Sequence, residues 1–251
     1  MEFTPLRKEH TNLPQAACQS QPRQANPRQK TEERHEPVII AGRGEMGEGN
    51  GRRRLHRRHG WAGVDEAGRG PLAGPVVAAA VLVPRGCRLP GVDDSKRLTP
   101  EEREQAAGLI RERCAWAIGV AGVEEIDRLN ILRATFLAME RAIRNLPQPA
   151  GGVLVDGKFF TCELAIPAET IVRGDSRFCE IAAASILAKT HRDALMREYE
   201  LEFPGYGFAH HFGYATPEHL ERLADLGPSP IHRRSFAPIR DLEQLCLILD
   251  E

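Results

Sequence analysis

The sequence predicts a mixed α/β sheet with helices on its faces, and three observations carry that prediction. Pro75 to Val83 is a continuous apolar run rich in valine and alanine, which reads as a strand buried on both faces. Between Glu124 and Leu146, the apolar residues Ile126, Leu129, Ile131, Leu132, Phe136, Leu137, Met139, Ile143 and Leu146 recur at near-helical spacing. The order of segments supplies the third. Two strands around a glycine-rich turn come first, and strands then alternate with helices.

Each element has its own signal. Trp61-Ala62-Gly63-Val64 runs into Asp65-Glu66, and the turn Gly68-Arg69-Gly70-Pro71 joins it to the apolar run, so the pair reads as a hairpin. Thr99 followed by Pro100 is an N-cap with proline in the first helical position, opening a helix to about Cys114. Ala115 to Val123 reads as a strand. The amphipathic stretch from Glu124 follows as one long helix stopped by Pro147. Gly152 to Asp156 is a third short buried strand, and Ala168 to Val172, leading to Arg173-Gly174-Asp175, is another. Glu180 to Glu200 is helical, and Pro217 to Leu226 is a short final helix. Leu242 to Leu249 is a further candidate apolar helix.

Composition excludes some classes. With 251 residues, 41% hydrophobic and 27% charged, the chain is an ordinary globular one. Its net charge of −1 means that any nucleic-acid surface must be a local patch. No apolar run is long enough for a membrane span, and the polar start lacks a signal-peptide core, so a cytoplasmic home is expected. Cys18, Cys87, Cys114, Cys162, Cys179 and Cys246 show no metal-ligand spacing and are expected as reduced thiols without a chemical role. Residues 1–60 are rich in Pro, Gln, Arg and Glu and are expected to be a disordered extension before a catalytic domain at 61–251. The basic cluster Arg52 to His59 reads as a solvated tail, as an auxiliary phosphate-binding arm, or as sequence upstream of a later start codon.

The acids carry the chemistry. Asp65-Glu66 closes one apolar strand, Asp156 a second, and Asp175 a third. Carboxylates rarely end buried strands without cause, and strand ends are where ligands collect in α/β sheets. If these strands are neighbours, the four acids converge. Their mutual repulsion would raise their pKa values, and a divalent cation would remove that penalty. Oxygen donors select Mg2+ or Mn2+ over zinc, and two such ions are a common device for phosphodiester hydrolysis. The turn Gly68-Arg69-Gly70 lacks the Gly-Lys-Ser/Thr ending of a nucleoside-triphosphate loop. Its interest lies in its closeness to Asp65-Glu66.

These segments resemble the ribonuclease HII family. Gly63-Val64-Asp65-Glu66-Ala67-Gly68-Arg69-Gly70-Pro71 is similar to the family's opening signature. Asp94-Ser95-Lys96-Arg97-Leu98, Asn130-Ile131-Leu132, Val155-Asp156-Gly157 and Gly174-Asp175-Ser176 follow in the family's order. Ile181 to Lys189, Tyr206-Gly207-Phe208, His210 to Thr216 and His232-Arg233-Arg234-Ser235-Phe236 complete a match over about residues 61–240.

The resemblance implies a ribonuclease H-like five-stranded mixed sheet flanked by helices. It implies Asp65, Glu66, Asp156 and Asp175 as catalytic metal ligands for Mn2+ or Mg2+, with Asp175 depending on substrate. It implies Gly68, Arg69 and Gly70 as the loop that senses an RNA–DNA junction, since only the 2′-hydroxyl distinguishes the two sugars there. Tyr214 would stack on the deoxyribose past the junction. Ser95, Lys96, Ser185, Lys189, Arg192, His232, Arg233 and Arg234 are candidates for backbone contacts that position a duplex. The implied substrates are RNA–DNA hybrids and DNA duplexes containing ribonucleotides, cut by two-metal hydrolysis to a 5′-phosphate and a 3′-hydroxyl. A monomer without membrane contact, serving ribonucleotide excision repair and DNA replication, is implied as well. Some family members carry a longer partner-binding tail, but this chain's own residues lend no support to a sliding-clamp contact. Two other readings stay open: a related nuclease acting mainly on long hybrids, and a non-catalytic duplex-binding module.

Overall fold

Strand β1 (Trp61–Ala67) is central, because it pairs antiparallel with β2 (Val76–Leu82) and parallel with β4 (Gly152–Asp156). β3 (Ala115–Ala121) lies antiparallel against β2, and β5 (Ala168–Ile171) lies parallel against β4. The five-stranded sheet has the order β3-β2-β1-β4-β5. The helices are α1 (Pro100–Arg113), α2 (Val123–Leu129), α3 (Ile131–Arg144), α4 (Cys179–Glu202), α5 (Phe208–His211) and α6 (Pro217–Leu226). The computed structural model describes residues 55–237 and 239–241. The expectations for residues 1–54, for Cys18 and Cys246, and for Leu242 to Leu249 lie outside the described residues.

The hairpin forms as the sequence predicts, with Asp65 opposite Ala79. β2 alternates between two cores. Val76, Ala78 and Ala80 pack with Ala138, Met139 and Ala142 of α3, while Ala79 and Val81 pack with Ile110 of α1 and Ile186 of α4. Small side chains let helices approach both faces, which is why this strand is uniformly apolar. Thr99 caps α1: its Oγ1 accepts from the Glu102 amide at 3.2 Å, and the Glu102 carboxylate accepts from the Thr99 amide at 3.0 Å.

Three expectations need correction. The stretch from Glu124 is two helices, not one. Asn130 interrupts it at φ +67°, and its Oδ1 accepts from the amides of Leu132 and Arg133, so the side chain ends α2 and starts α3. Ala168 to Val172 is not buried. β5 is a four-residue edge strand with Ala168, Glu169 and Thr170 exposed, and it ends at Ile171 rather than running up to Asp175. The last part of the basic cluster is not a solvated tail. The His56 amide donates to the Arg177 carbonyl at 2.7 Å, the Arg57 guanidinium donates to the Cys87 carbonyl at 2.5 Å, and the Arg58 guanidinium lies 3.6 Å over the Trp61 ring.

Cys87, Cys114, Cys162 and Cys179 are free thiols. No helix among the described residues is long and apolar enough to cross a membrane.

Sheet and helix approach very closely at Gly63. A Cβ there would lie 2.0 Å from the carbonyl carbon of Glu180. Neither backbone can yield without moving α4 off β1, and with it Ser185 and Lys189. Gly63→Ala is therefore expected to cost about 3 kcal/mol or more. Thermal melts should show a fall of roughly 6–12 °C; an unchanged melt would mean that α4 is free to shift.

Candidate active site

Neighbouring residues of a strand face opposite sides of the sheet, so Asp65 and Glu66 diverge. Asp65 turns toward α4, where Ser185 lies near enough to favour its charged form. Glu66 turns the other way, and its Oε1 accepts from Arg69 Nη1 at 3.3 Å. The parallel pairing of Val64 with Val155 puts the end of β4, and so Asp156, beside Asp65. Asp156 Oδ1 accepts from the Gly174 amide at 2.6 Å, which ties it to the 3-10 turn Gly174–Ser176. Asp175, in that turn, is buried. Its Oδ1 accepts from the Ser176 amide at 2.8 Å, and its Oδ2 lies 3.7 Å from Lys96 Nζ.

The electrostatics show carboxylates under pressure. Burial, with Glu66 and Asp156 as like charges, pushes Asp65 well above the usual carboxylate range. Burial raises Glu66 too, although Arg69 opposes it. Asp156 is raised by burial and by Asp175, against the Gly174 amide and Lys96. Partial burial works against the Lys96 charge, but Asp175, Asp94, Asp65 and Asp156 outweigh it and raise its pKa. Lys96 is thus a counter-cation to the whole group.

A cavity of about 230 Å³ is lined by Asp65, Glu66 and Asp156 together with Ser95, Lys96, Ser185, Lys189, Gly68 and Tyr214. The Ser95 and Ser185 hydroxyls are 2.9 Å apart. Lys189 Nζ is 2.6 Å from Asp193 Oδ1 and 4.7 Å over the Phe212 ring. Tyr214 is 46% exposed, with its Cε1 3.6 Å from where a Cβ on Gly70 would lie. A second cavity of about 310 Å³ shares Glu66, Arg69 and Asp156 and continues over Leu132, Lys158 and Phe159. The groove therefore extends past the acids on both sides.

Several candidates fall elsewhere. Arg233 is fully buried and does not reach the cavity. Its guanidinium donates to the carbonyls of Gly68 at 2.6 Å, Arg69 at 3.0 Å, Gly74 at 2.8 and 2.9 Å, and Pro75 at 3.3 Å. Burial and the nearby Arg192 charge push it down to about 9, which leaves it cationic at neutral pH. Arg192 lines the cavity wall, but its donors go to the carbonyls of Ala73, Pro75 and Phe212 at 3.1 Å each. These two arginines clamp the backbone of the glycine loop. His232 is buried beside His219. Arg234 is exposed, and its amide donates to Asp127 Oδ2 at 3.1 Å.

The clamp has a consequence for the loop. A trans peptide points its C=O and its N–H in opposite directions. With the carbonyls of Gly68 and Arg69 turned inward to Arg233, the amides of Arg69 and Gly70 turn outward. Gly68 is required for this geometry, because its φ is +96° and a Cβ would lie 2.1 Å from Arg192 Nε.

Arg103 and Asp193 were missed from sequence. Arg103 lines the cavity, donates to the Ser95 carbonyl at 3.1 Å and lies 3.9 Å from Asp193, so it braces Ser95. The i,i+4 spacing of Lys189 and Asp193 on α4 was the available signal.

Asp65, Glu66, Asp156 and Asp175 offer oxygen donors alone, and a bound cation would relieve the raised pKa values of Asp65, Glu66 and Asp156. Among the described residues, no three Asp, Glu, His or Cys side chains are gathered closely enough to hold a metal ion by themselves. An open set suits Mg2+ or Mn2+, which keep water and substrate phosphate as ligands.

Comparison with known proteins accords with this geometry. Residues 62–239 match the family model for ribonuclease HII. A ribonuclease HII from Paracoccus denitrificans (strain Pd 1222) is 55% identical over 181 residues, covering 72% of this chain and 86% of the relative. The structure of the ribonuclease H2 from Pyrococcus horikoshii OT3 superposes with a TM-score of 0.63 at 26% identity, covering 73% of this chain and 97% of that one. The ribonuclease HII of Archaeoglobus fulgidus, solved in complex with PCNA, superposes with a TM-score of 0.60 at 28% identity over 71% of this chain and 96% of that one. The chain belongs to the ribonuclease HII family, and it is a nuclease of the ribonuclease H type.

Proposed function

We propose that this chain cuts the RNA strand of RNA–DNA hybrids and cuts on the 5′ side of single ribonucleotides embedded in duplex DNA, leaving a 5′-phosphate and a 3′-hydroxyl. The observation that carries the reading is one cavity containing Asp65, Glu66 and Asp156, the start of the Gly68-Arg69-Gly70 loop, and Tyr214. Acids for hydrolysis and contacts suited to a sugar junction share a single groove.

Asp65, Glu66 and Asp156, with Asp175 beside them, would hold divalent metal. Such ions supply positive charge to the phosphoryl oxygens and lower the pKa of bound water. The remaining roles belong to the protein. Outward amides at Arg69 and Gly70 face the position where a 2′-hydroxyl would identify the ribonucleotide. Lys96 and Lys189 offer charge to the phosphates on either side. Tyr214 offers its exposed ring as a platform for the sugar beyond the junction.

The test is cleavage of a labelled DNA duplex carrying one ribonucleotide, with Mg2+, Mn2+ or chelator, beside a long hybrid and an all-DNA control. A single metal-dependent cut 5′ of the ribonucleotide is expected. Cutting of the long hybrid alone would move the chain to the related class of nuclease, and metal-independent binding without any cut would make it a binding module. Tyr214→Ala is expected to lower kcat/KM on the embedded ribonucleotide roughly tenfold, in line with the loss of one stacking contact. Its metal titration should match the parent, and undiminished turnover would remove Tyr214 from the site.

A further inference from the structure

Three buried histidines lie beneath the turn that carries Tyr214. His211 ends α5, His219 is in the first turn of α6, and His232 pairs with Ala73 of the glycine loop. Their exposures are 7%, 0% and 1%. The His211 and His219 rings stack at 4.4 Å, and Phe208 packs against all three.

Backbone donors fix where the protons are. The Ser229 amide donates to His232 Nδ1 at 2.9 Å, so that nitrogen is an acceptor and the proton of the neutral ring is on Nε2. His232 Nε2 is 3.0 Å from His219 Nε2, so it donates there. The proton of His219 is then on Nδ1, which donates to the Tyr214 carbonyl at 2.9 Å. His211 runs in parallel: its Nδ1 accepts from the Gly213 amide at 3.1 Å, and its Nε2 donates to the Tyr206 carbonyl at 2.7 Å. The Ser229 hydroxyl lies 2.8 Å from the same His232 Nδ1 and, with the amide already donating there, is a second donor to it; each of the other links pairs one donor with one acceptor. An additional proton on any ring would set two N–H groups against each other. Burial accordingly lowers His219, and it lowers His232 to about 4.

Each chain has one end on the backbone at one residue: the Gly213 amide before Tyr214, with Tyr206 at the far end of the His211 chain, and the Tyr214 carbonyl itself. Packing alone would not need this, because an apolar side chain fills space without buried polar atoms. We propose that His232 and His219 form a directed relay that positions Tyr214, with His232 fixing the tautomer of His219, His219 holding the carbonyl that aims the tyrosine ring into the cavity, and His211 bracing the preceding Gly213 amide in parallel. The same scaffold reaches the glycine loop. The Leu72 amide donates to the Gly213 carbonyl at 2.8 Å, and the Arg233 amide donates to the Leu72 carbonyl at 2.8 Å. His211, His219 and His232 are positioning residues and touch no substrate. The inference rests on the reading of Tyr214 as a substrate contact.

A double-mutant cycle separates the two. On the embedded-ribonucleotide duplex, Tyr214→Ala and His219→Leu are each expected to lose roughly tenfold in kcat/KM, and the double variant no more than either alone. His219→Asn keeps an N–H donor near the Nδ1 position and is expected to restore most of the loss. Multiplied losses, or full activity in His219→Leu beside an impaired Tyr214→Ala, would overturn the relay alone. Full activity in Tyr214→Ala would overturn the reading of Tyr214 and the relay's part in cleavage with it. Should His219→Leu fail to fold, ¹⁵N shifts of the imidazoles in the unaltered protein at neutral pH decide. The relay requires Nε2–H in His211 and His232 and Nδ1–H in His219, and averaged tautomers would refute it.

Discussion

Asp65→Asn is expected to lower cleavage by roughly 10³-fold, equivalent to about 4 kcal/mol of lost transition-state charge stabilisation, while making the metal-free protein more stable. The two effects share a cause. Asp65 is 5% exposed, and burial with Glu66 and Asp156 makes its charge costly. An amide removes that charge but keeps an oxygen to accept from the Glu66 amide, as Oδ1 does at 2.8 Å. The gain should be about 1–2 kcal/mol in chelator at neutral pH. The sign follows from linkage. A carboxyl whose folded pKa is raised destabilises the fold when ionised; the cost is full above that raised value, shrinks as the pH falls below it, and is gone below the ordinary carboxylate value of the unfolded chain. The difference between parent and variant should therefore shrink on acidification. Mn2+ should close the gap from the other side, because it stabilises the parent by binding and the variant less. Cleavage assays and melts with and without metal read both effects. A variant that cuts normally would place the metal site elsewhere. One that melts lower in chelator would show that Asp65 is not under electrostatic pressure.

Arg233→Leu is expected to be the most destabilising change of a charged residue, at about 3–5 kcal/mol. The guanidinium is the hydrogen-bond donor for carbonyls of Gly68, Arg69, Gly74 and Pro75; leucine would take that donor from Gly68, Arg69 and Gly74, while Pro75 would keep only Arg192. Lysine should not rescue it. An ammonium is a point charge with a shorter reach, whereas these bonds use a planar fork of donors. The loop amides would lose their outward orientation, so cleavage at an embedded ribonucleotide should fall together with stability. Arg69→Ala provides the contrast. The Arg69 side chain is half exposed beside Glu66, so its removal should change activity with little effect on the melt. Denaturant unfolding of both variants checks this. A parental midpoint for Arg233→Leu would mean that water readily replaces the guanidinium.

Legibility differed from residue to residue, for physical reasons. Asp65, Glu66 and Asp156 were legible because a carboxylate after a run of buried apolar residues is costly and stands out. Asp175 was picked as the acid closing a third buried strand, and that picture of a buried strand was incorrect. β5 is an exposed edge, and Asp175 is held by a 3-10 turn that the hydrogen bond from Gly174 to Asp156 ties to β4. The break at Asn130 was hidden inside an unbroken apolar period, because one positive φ with a side-chain cap leaves the spacing of neighbouring residues intact.

By itself, the sequence determined the hairpin, the two-sided burial of β2, the capped start of α1 and the acids at the strand ends. Each depends on periodicity or on residues a few positions apart, so local patterns suffice to specify them. Only the tertiary structure decided that Arg192 and Arg233 clamp a loop, and that His232 and His219 are hydrogen-bonded in series to the Tyr214 carbonyl with His211 on the Gly213 amide. Arg233 is more than 150 positions from the carbonyls it holds, and the three histidines come from separate segments. A surface arginine and a buried one have the same letter in a sequence. Burial and partners follow from how distant segments pack, and that packing sets the role of the side chain.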